Sequence, residues 1–384
     1  MDLQQTLQET FTRQFNAEPT LICSPGRVNL IGEHTDYNEG FVLPAAINKA
    51  IYLAVGPRTD SQLHFVALDL NETYMGSLDA IAKTNTWADY LLGMVDQFRQ
   101  AGLNVGGLNV VFGGTIPIGG GMSSSAAIEN GVAVALDHLY NKDQTDRLLM
   151  VKLGQRVENH FVGVQSGIMD QFASMMGRAN HVIKLDCRSL EFAYAPLNMD
   201  GVRIVLCDSR VKHALASSEY NTRRAECEAG VRMIQARYGE QIRSLRDVTM
   251  PMLDAYVREQ EPLLYKRCAY VVQENERLVG AVAALDGGDL ETFGQFMYGS
   301  HEGLSKQYDV SCAELDTLVD IARTVPGVLG SRMMGGGFGG CTINLVRADA
   351  LDLFTQTMQE QFLAHTGVET LLYVCQIQNG TEII

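Results

Sequence analysis

The sequence predicts an α+β fold of two domains, residues 1–200 and 201–384, on three observations. The chain has 384 residues, against roughly 150 per domain as a prior. Its first half carries a strand, a glycine loop and a helix in direct succession. Past Asp208 the pattern changes to long helical stretches that close on strands, and this change places the boundary near residue 200.

The elements follow in order. Leu3, Leu7, Phe11 and Phe15 recur every four residues and predict an amphipathic opening helix. Asn109 to Phe112 reads as a strand leading into the loop Gly113 to Ser125, after which Ala126, Ala127, Ile128, Val132, Ala135, Leu136 and Leu139 give a helical pattern. A second helix is expected from about Asp146 to Phe161, with Leu149, Leu153, Val157 and Phe161 on one stripe, and a third near Asp170. Strands are expected at Val182 to Asp186 and Val202 to Asp208. Helices follow over Asn221 to Tyr238, Ala269 to Leu285 and Leu315 to Thr324. The chain then closes with strands at Thr342 to Val346 and Leu371 to Gln376 around a helix from Ala350 to His365.

Composition narrows the class of function. With 46% hydrophobic and 20% charged residues and a mean hydropathy of -0.02, this is an ordinary globular chain. The 30 Lys and Arg against 45 Asp and Glu give -15, shared as -8 over residues 1–200 and -7 over the rest. No basic half and no basic run is available to attract phosphate backbones or anionic lipid, so neither nucleic acid nor a membrane is an expected partner. Eight cysteines spaced by 20 residues or more contain no C-x-x-C pair and read as reduced thiols in a cytoplasm. The N-terminus has no signal-like segment, and no apolar run is long enough to span a bilayer.

Three motifs carry chemistry. At Gly119-Gly120-Gly121-Met122-Ser123-Ser124-Ser125, glycines let backbone N–H groups approach an anion, with serines and a helix N-terminus beside them. A glycine turn with a serine N-cap is the plainer reading. No Gly-Lys-Ser/Thr follows, so this is not a Walker A loop. The run Gly335-Gly336-Gly337-Phe338-Gly339-Gly340 contains G-x-G-x-x-G but precedes a strand, which rejects a dinucleotide fingerprint. Five glycines in six positions instead predict a backbone surface pressed against a ligand or against the first glycine loop.

The third motif, Gly26 to Asn38, interleaves Arg27, Glu33, His34 and Asp36 with Val28, Leu30 and Ile31. Some of these charges must point into apolar surroundings, where they need partners. Such a set suits a polyhydroxylated ligand, because each sugar hydroxyl both donates and accepts; a solvated turn with a local salt bridge is the alternative. Glu158 is placed to reach a metal or to be merely solvated. Asp170 lies near a helix start, where the dipole favours its ionised form or where it acts only as a cap. Zincin, serine-hydrolase and protein-kinase signatures are absent from the sequence.

Together, Gly26 to Tyr37, Pro117 to Ala126 and Gly335 to Cys341 resemble the three signatures of the GHMP small-molecule kinases, the first of them the galactokinase branch. Gly167 to Gln171 and Ser217 to Arg224 extend the likeness over nearly the whole chain. The resemblance implies an N-terminal domain like ribosomal protein S5 domain 2 and a C-terminal ferredoxin-like α+β domain, with the active site between them. It implies transfer of phosphoryl from ATP to the anomeric hydroxyl of α-D-galactose, giving galactose 1-phosphate and ADP.

Under that resemblance Glu33, His34, Thr35, Asp36, Gly167 and Tyr220 would contact galactose, and residues Gly119 to Ser125 would cradle ATP. Ser125 and Glu158 would hold Mg2+, and Arg27 and Asp170 would form the catalytic pair. Gly120, Met122 and Met334 depart from the family's usual Ala or Ser, Leu and Thr, which bears on nucleotide affinity. An arginine beside Asp170 favours its ionised form, so proton acceptance is expected late, with Asp170 orienting the hydroxyl as much as deprotonating it. Two other readings remain open at this point. One is a non-catalytic galactose and ATP sensor, as some family members are, although the serine loop here is intact. The other is a kinase for N-acetylgalactosamine. The high net charge and the lack of a heptad seam favour a monomer.

Overall fold

The computed structural model describes residues 2–117, 119–197, 200–211 and 216–384. Two main sheets organise the chain. The first runs in the order Glu382–Ile383, Thr20–Asn29, Pro44–Pro57, Leu108–Gly114, Gln62–Ala67, Glu72–Ser77, and only the pair Gln62–Ala67 with Leu108–Gly114 is parallel. The second is antiparallel throughout, in the order Val328–Met333, Cys341–Arg347, Val202–Asp208, Leu371–Cys375. A short third sheet joins Phe41–Val42, His181–Asp186 and Phe192–Pro196.

Apolar alternation decides which faces pack. In the second sheet Val205, Cys207 and Val346 bury against Leu318 and Ile321 of the helix Ala313–Thr324 and Phe354, Met358 and Phe362 of the helix Leu351–Thr366. The residues between them, Ile204, Leu206, Ile343 and Leu345, turn the other way into a core that also holds Val28, Leu53 and Val132 from the first sheet and its helices. Period-two side chains thus make one core continuous across both sheets. The last strand of the chain, Glu382–Ile383, pairs with Thr20–Asn29 and ties the C-terminal end to the first sheet.

The opening helix spans Leu3–Phe15 as the four-residue spacing requires, with Leu7 and Phe11 buried. Burying two such side chains contributes about 1.5–3 kcal/mol each. Most expected elements occur within a few residues of their sequence limits. The second helix differs: Arg147–Arg156 is α-helical, but Val157–Val162 widens into a π-helical turn that ends at Gly163 with φ 101°. Such turns insert an extra residue and re-aim a side chain, here Glu158. The helix carrying Asp170 begins at Met169, so Asp170 lies in its first turn and is not the cap, which is Ile168. Met75 is exposed at a sheet edge.

Candidate active site

Arg27 enters the site from an irregular strand. Pairing of Thr20–Asn29 with Pro44–Pro57 slips between Pro25 and Arg27, and a bulge of this kind bends the strand and redirects the next side chain. A Cβ at Gly26 would lie 2.6 Å from the Met122 carbonyl oxygen, so the strand passes this close to the glycine loop only as glycine. The Arg27 N–H donates to that same carbonyl at 3.1 Å. Its guanidinium meets Asp170 side by side, Nε to Oδ1 and Nη2 to Oδ2, both at 2.8 Å. Nη1 donates to the Gly121 carbonyl at 2.6 Å. Burial opposes the charge on Arg27, and the Asp170 carboxylate more than restores it.

Asp170 also accepts a bond from Ser123 Oγ at 2.5 Å, so three donors fix its orientation. Ser123 thus holds the N-cap position of the helix without capping it through its hydroxyl. Its backbone is left-handed, with φ 59°, and its side chain makes no bond to the first turn of the helix Ser124–Tyr140. Ser125 points the other way and donates to Glu158 Oε1 at 2.8 Å. Burial pushes the Glu158 acid up, and hydroxyls from Ser166 and Ser125 work against that.

The second glycine run closes on the first. Gly335 and Gly340 are left-handed, with φ 84° and 82°, and a Cβ on them would sit 3.2 Å from the Gly121 carbonyl oxygen and 3.7 Å from that of Gly119. The expectation of a close backbone approach at 335–340 therefore holds, with the first loop as its partner. Ile118, within the motif, lies outside the described residues. At Gly120 a Cβ would come 3.3 Å from Met122 Cε, so the unusual glycine and the unusual methionine fit each other.

A cleft of about 330 Å³ opens beside Arg27 and Asp170, lined also by Glu33, His34, Asp36, Gly167, Tyr220, Gly335 and Gly336. A larger cavity, about 940 Å³, lies against the strand Leu371–Cys375 and holds none of these residues, so the ionisable chemistry concentrates in the smaller one. Burial, aided by the nearby charges of Arg223 and Arg332, pushes His34 down to about 3, and its imidazole is neutral at physiological pH. Its Nδ1 bonds the Tyr37 hydroxyl at 2.7 Å, and the Gly336 backbone, which partly offsets the fall in its pKa, lies beside the ring. Thr35 does not line this cleft. Its Oγ1 lies 2.9 Å from the Gly32 carbonyl oxygen and 2.6 Å from that of Phe41, which holds the turn.

Gly167 walls the cleft against Asp36. A Cβ there would stand 1.9 Å from Asp36 Oδ2 and 2.8 Å from Asp36 Cβ. Gly167→Ala is accordingly expected to keep the fold but displace Asp36, weakening ligand binding in the cleft about tenfold, equivalent to about 1.4 kcal/mol. Steady-state kinetics over a substrate series checks it.

Asp36 itself is pushed up to about 7, first by burial and then by the Asp170 charge. Ionising it therefore costs the folded state. That stability is intact below the ordinary carboxylate range and is lost as pH rises through about 7. Asp36→Asn is expected to raise Tm over wild type, by a margin that grows from about pH 4 and levels off above about pH 7. The same change is expected to weaken binding of a hydroxyl-bearing ligand in the cleft, because the amide replaces an acceptor with a donor. Thermal melts across that range, with ligand titration, test both.

Several residues that position the site were not visible in the sequence motifs. Arg332, fully buried, pairs with Glu33 at 2.8 Å, donates to the Leu30 carbonyl at 2.9 Å and to that of Met333 at 2.7 Å, and also bonds the Asn29 carbonyl. From the helix Pro262–Asp286, the Tyr270 hydroxyl donates to the Glu33 carbonyl at 2.9 Å, and Glu274 and Asn275 accept the N–H groups of Gly32 and Phe41 at 3.0 Å each. Arg223, inside the Ser217–Arg224 stretch, donates from Nε and Nη2 to the carbonyls of Tyr308 and Asp309, both at 2.8 Å. The signal available for Arg332 was a lone charge inside the apolar strand Val328–Met333. The second half of the chain thus grips the loop that bears Glu33 to Asp36.

Comparison with known proteins gives the same picture. The galactokinase galactose-binding signature matches residues 9–57, the GHMP kinase N-terminal domain residues 89–178, and the GHMP kinase C-terminal domain residues 281–363. The chain is 42% identical to a galactokinase of Roseiflexus sp. (strain RS-1), over 97% of this chain and 95% of that one. To the galactokinase of Clostridium acetobutylicum it is 40% identical over the full length of both. The crystal structure of Lactococcus lactis galactokinase complexed with galactose superposes over all of both chains with a TM-score of 0.95 at 35% identity. Methanococcus jannaschii mevalonate kinase, at 19% identity and a TM-score of 0.65 over 94% of this chain and 99% of its own, shares the fold. With the sugar signature on one wall, two opposed glycine loops on the other and full-length likeness of this degree, the chain belongs to the galactokinase family of GHMP kinases.

Proposed function

We propose that the chain transfers the γ-phosphoryl group of ATP to the anomeric hydroxyl of α-D-galactose, with Arg27 and Asp170 as its catalytic pair. The observation that carries this is the doubly bonded, largely buried Arg27–Asp170 pair at the junction of the sugar-signature cleft and the glycine loop. Glu33, His34, Asp36 and Tyr220 receive the sugar hydroxyls, and Gly167 sets the wall.

Phosphoryl transfer through a loose transition state asks mainly for positioning and for positive charge near the transferring group. Arg27 and the backbone N–H groups of Gly119 to Ser125 supply both. Asp170, held by three donors, orients the attacking hydroxyl and takes its proton as the new bond forms.

The donor set at Ser125 and Glu158, one hydroxyl and one carboxylate 2.8 Å apart, fits Mg2+, which prefers oxygen ligands and keeps several waters. When bound, the ion neutralises charge on the phosphates.

Thr35 supports the sugar loop and does not touch the sugar. Nothing in the site favours a non-catalytic sensor or a kinase for N-acetylgalactosamine. We also infer a cytoplasmic monomer: all eight cysteines are free, the net charge is -15, and no helix among the described residues is long and apolar enough to cross a membrane. Purified protein is expected to release ADP only when galactose, ATP and Mg2+ are all present. ADP release without dependence on galactose, or none at all, overturns the proposal.

A further inference from the structure

Behind the reacting groups lies a polar contact that the mechanism above does not use. Glu129 and Gln171 are both fully buried. Gln171 Nε2 donates to Glu129 Oε2 at 2.9 Å, and the neighbouring Asn130 Nδ2 donates to the Gln171 carbonyl at 2.9 Å. A Cβ on Gly154 would come 2.9 Å from Gln171 Cγ and 3.4 Å from Glu129 Oε2, so a third helix presses on the pair through a glycine.

The three helices that meet there are the ones that carry the chemistry. Ser124–Tyr140 bears Ser125 one turn before Glu129 and follows directly on Ser123; Met169–Met176 bears Asp170 next to Gln171; Arg147–Arg156 runs into the turn that holds Glu158. We propose that Glu129 is a positioning residue of the kinase, which through Gln171 fixes the register between the helix of the serine loop and the helix of Asp170. The proposal rests on the reading of Asp170 and the serine loop as reacting groups.

The alternative, a polar pair that only adds stability, fits the surroundings less well. A buried carboxyl without a cation partner is a poor device for stability, since an apolar pair of the same shape serves at least as well. A directional bond, in contrast, resists sliding of one helix past the other, which apolar contact does not. The acid is also held uncharged: burial, and next the Glu158 charge, push it far above the usual carboxylate range. It therefore holds its partner without adding a further negative charge beside Glu158, Asp170 and the phosphates of ATP.

The test compares Glu129→Ala, Glu129→Gln and Gln171→Met with wild type, reading kcat, galactose affinity by calorimetry and Tm. Wild-type turnover is established first; its absence strikes at the proposed function and not at this inference. Glu129→Ala is expected to lower kcat about a hundredfold, the scale of a misplacement near 1 Å, with galactose affinity within about twofold of wild type because the sugar wall is untouched. Glu129→Gln, which keeps shape and neutrality, is expected to recover most of that loss. Gln171→Met is expected to reproduce the fall in kcat, and the double variant Glu129→Ala with Gln171→Met to fall no further, since both break one bond. Should Glu129→Ala fail to fold, Gln171→Met alone decides. Wild-type kcat in either single variant, additive losses in the double, or equal loss of kcat and galactose affinity overturns the inference.

Discussion

Asp170→Asn is expected to cut kcat by about 10²- to 10⁴-fold, the range that a positioned acid–base group contributes, while galactose still binds. Asparagine preserves the outline of the side chain but not its acceptors. One of its two terminal atoms becomes a donor, and it must face an Arg27 N–H in either orientation, and the Ser123 hydroxyl as well when it takes the Oδ2 position. Arg27, 4% exposed, is then left without its counter-charge. A second effect follows on the same physics: the denaturation midpoint falls, because a buried guanidinium loses its ion pair. Separate measurement of kcat by ADP release and galactose affinity by calorimetry distinguishes lost chemistry from a lost site. Undiminished turnover refutes the role of Asp170.

The largest effect on stability is expected at a residue outside every motif. Arg332→Met is expected to destabilise the fold by about 3–5 kcal/mol, the cost of stranding one member of a buried ion pair. Glu33 then remains buried with no cation bonded to it, and the carbonyls of Asn29 and Leu30 lose their guanidinium donor. Galactose affinity should fall as well, since Glu33 lines the cleft. Combining Arg332→Met with Glu33→Leu is expected to recover the part of the stability loss due to the lone carboxylate, and none of the galactose binding. Urea denaturation of the three variants beside wild type tests this; a single Arg332→Met variant as stable as wild type contradicts it.

These two residues mark what a sequence does and does not disclose. Asp170 and Arg27 stand out as charges among apolar residues, and the glycine count at 335–340 already demands a close backbone contact. Those are local facts, written in residue types. That Arg27 and Asp170, 143 positions apart, share two hydrogen bonds is a product of the bulge at Gly26 and of the packing of the helix Met169–Met176 on the first sheet. Arg332 shows the opposite case: one charge in a six-residue strand has no motif, and its meaning lies in carbonyls some 300 positions away. Likewise the stripe Leu149, Leu153, Val157, Phe161 reads as plain helix, and the π-helical turn that presents Glu158 becomes visible only with the backbone in place. Ser123 was legible as a polar residue at a helix start, yet its left-handed backbone sends the hydroxyl to Asp170 in place of the cap position. Element types follow from periodicity; partners across the chain follow from topology.

The proposed site requires that the cleft present the anomeric hydroxyl, and no other, to the phosphoryl donor. Phosphorus–proton correlation NMR of the product made from galactose, ATP and Mg2+ tests it most directly. The arrangement of Arg27, Asp170 and the glycine loops predicts a single phosphomonoester whose phosphorus couples to the anomeric proton. Three-bond coupling to the proton of any other sugar carbon, or a mixture of esters, would contradict it.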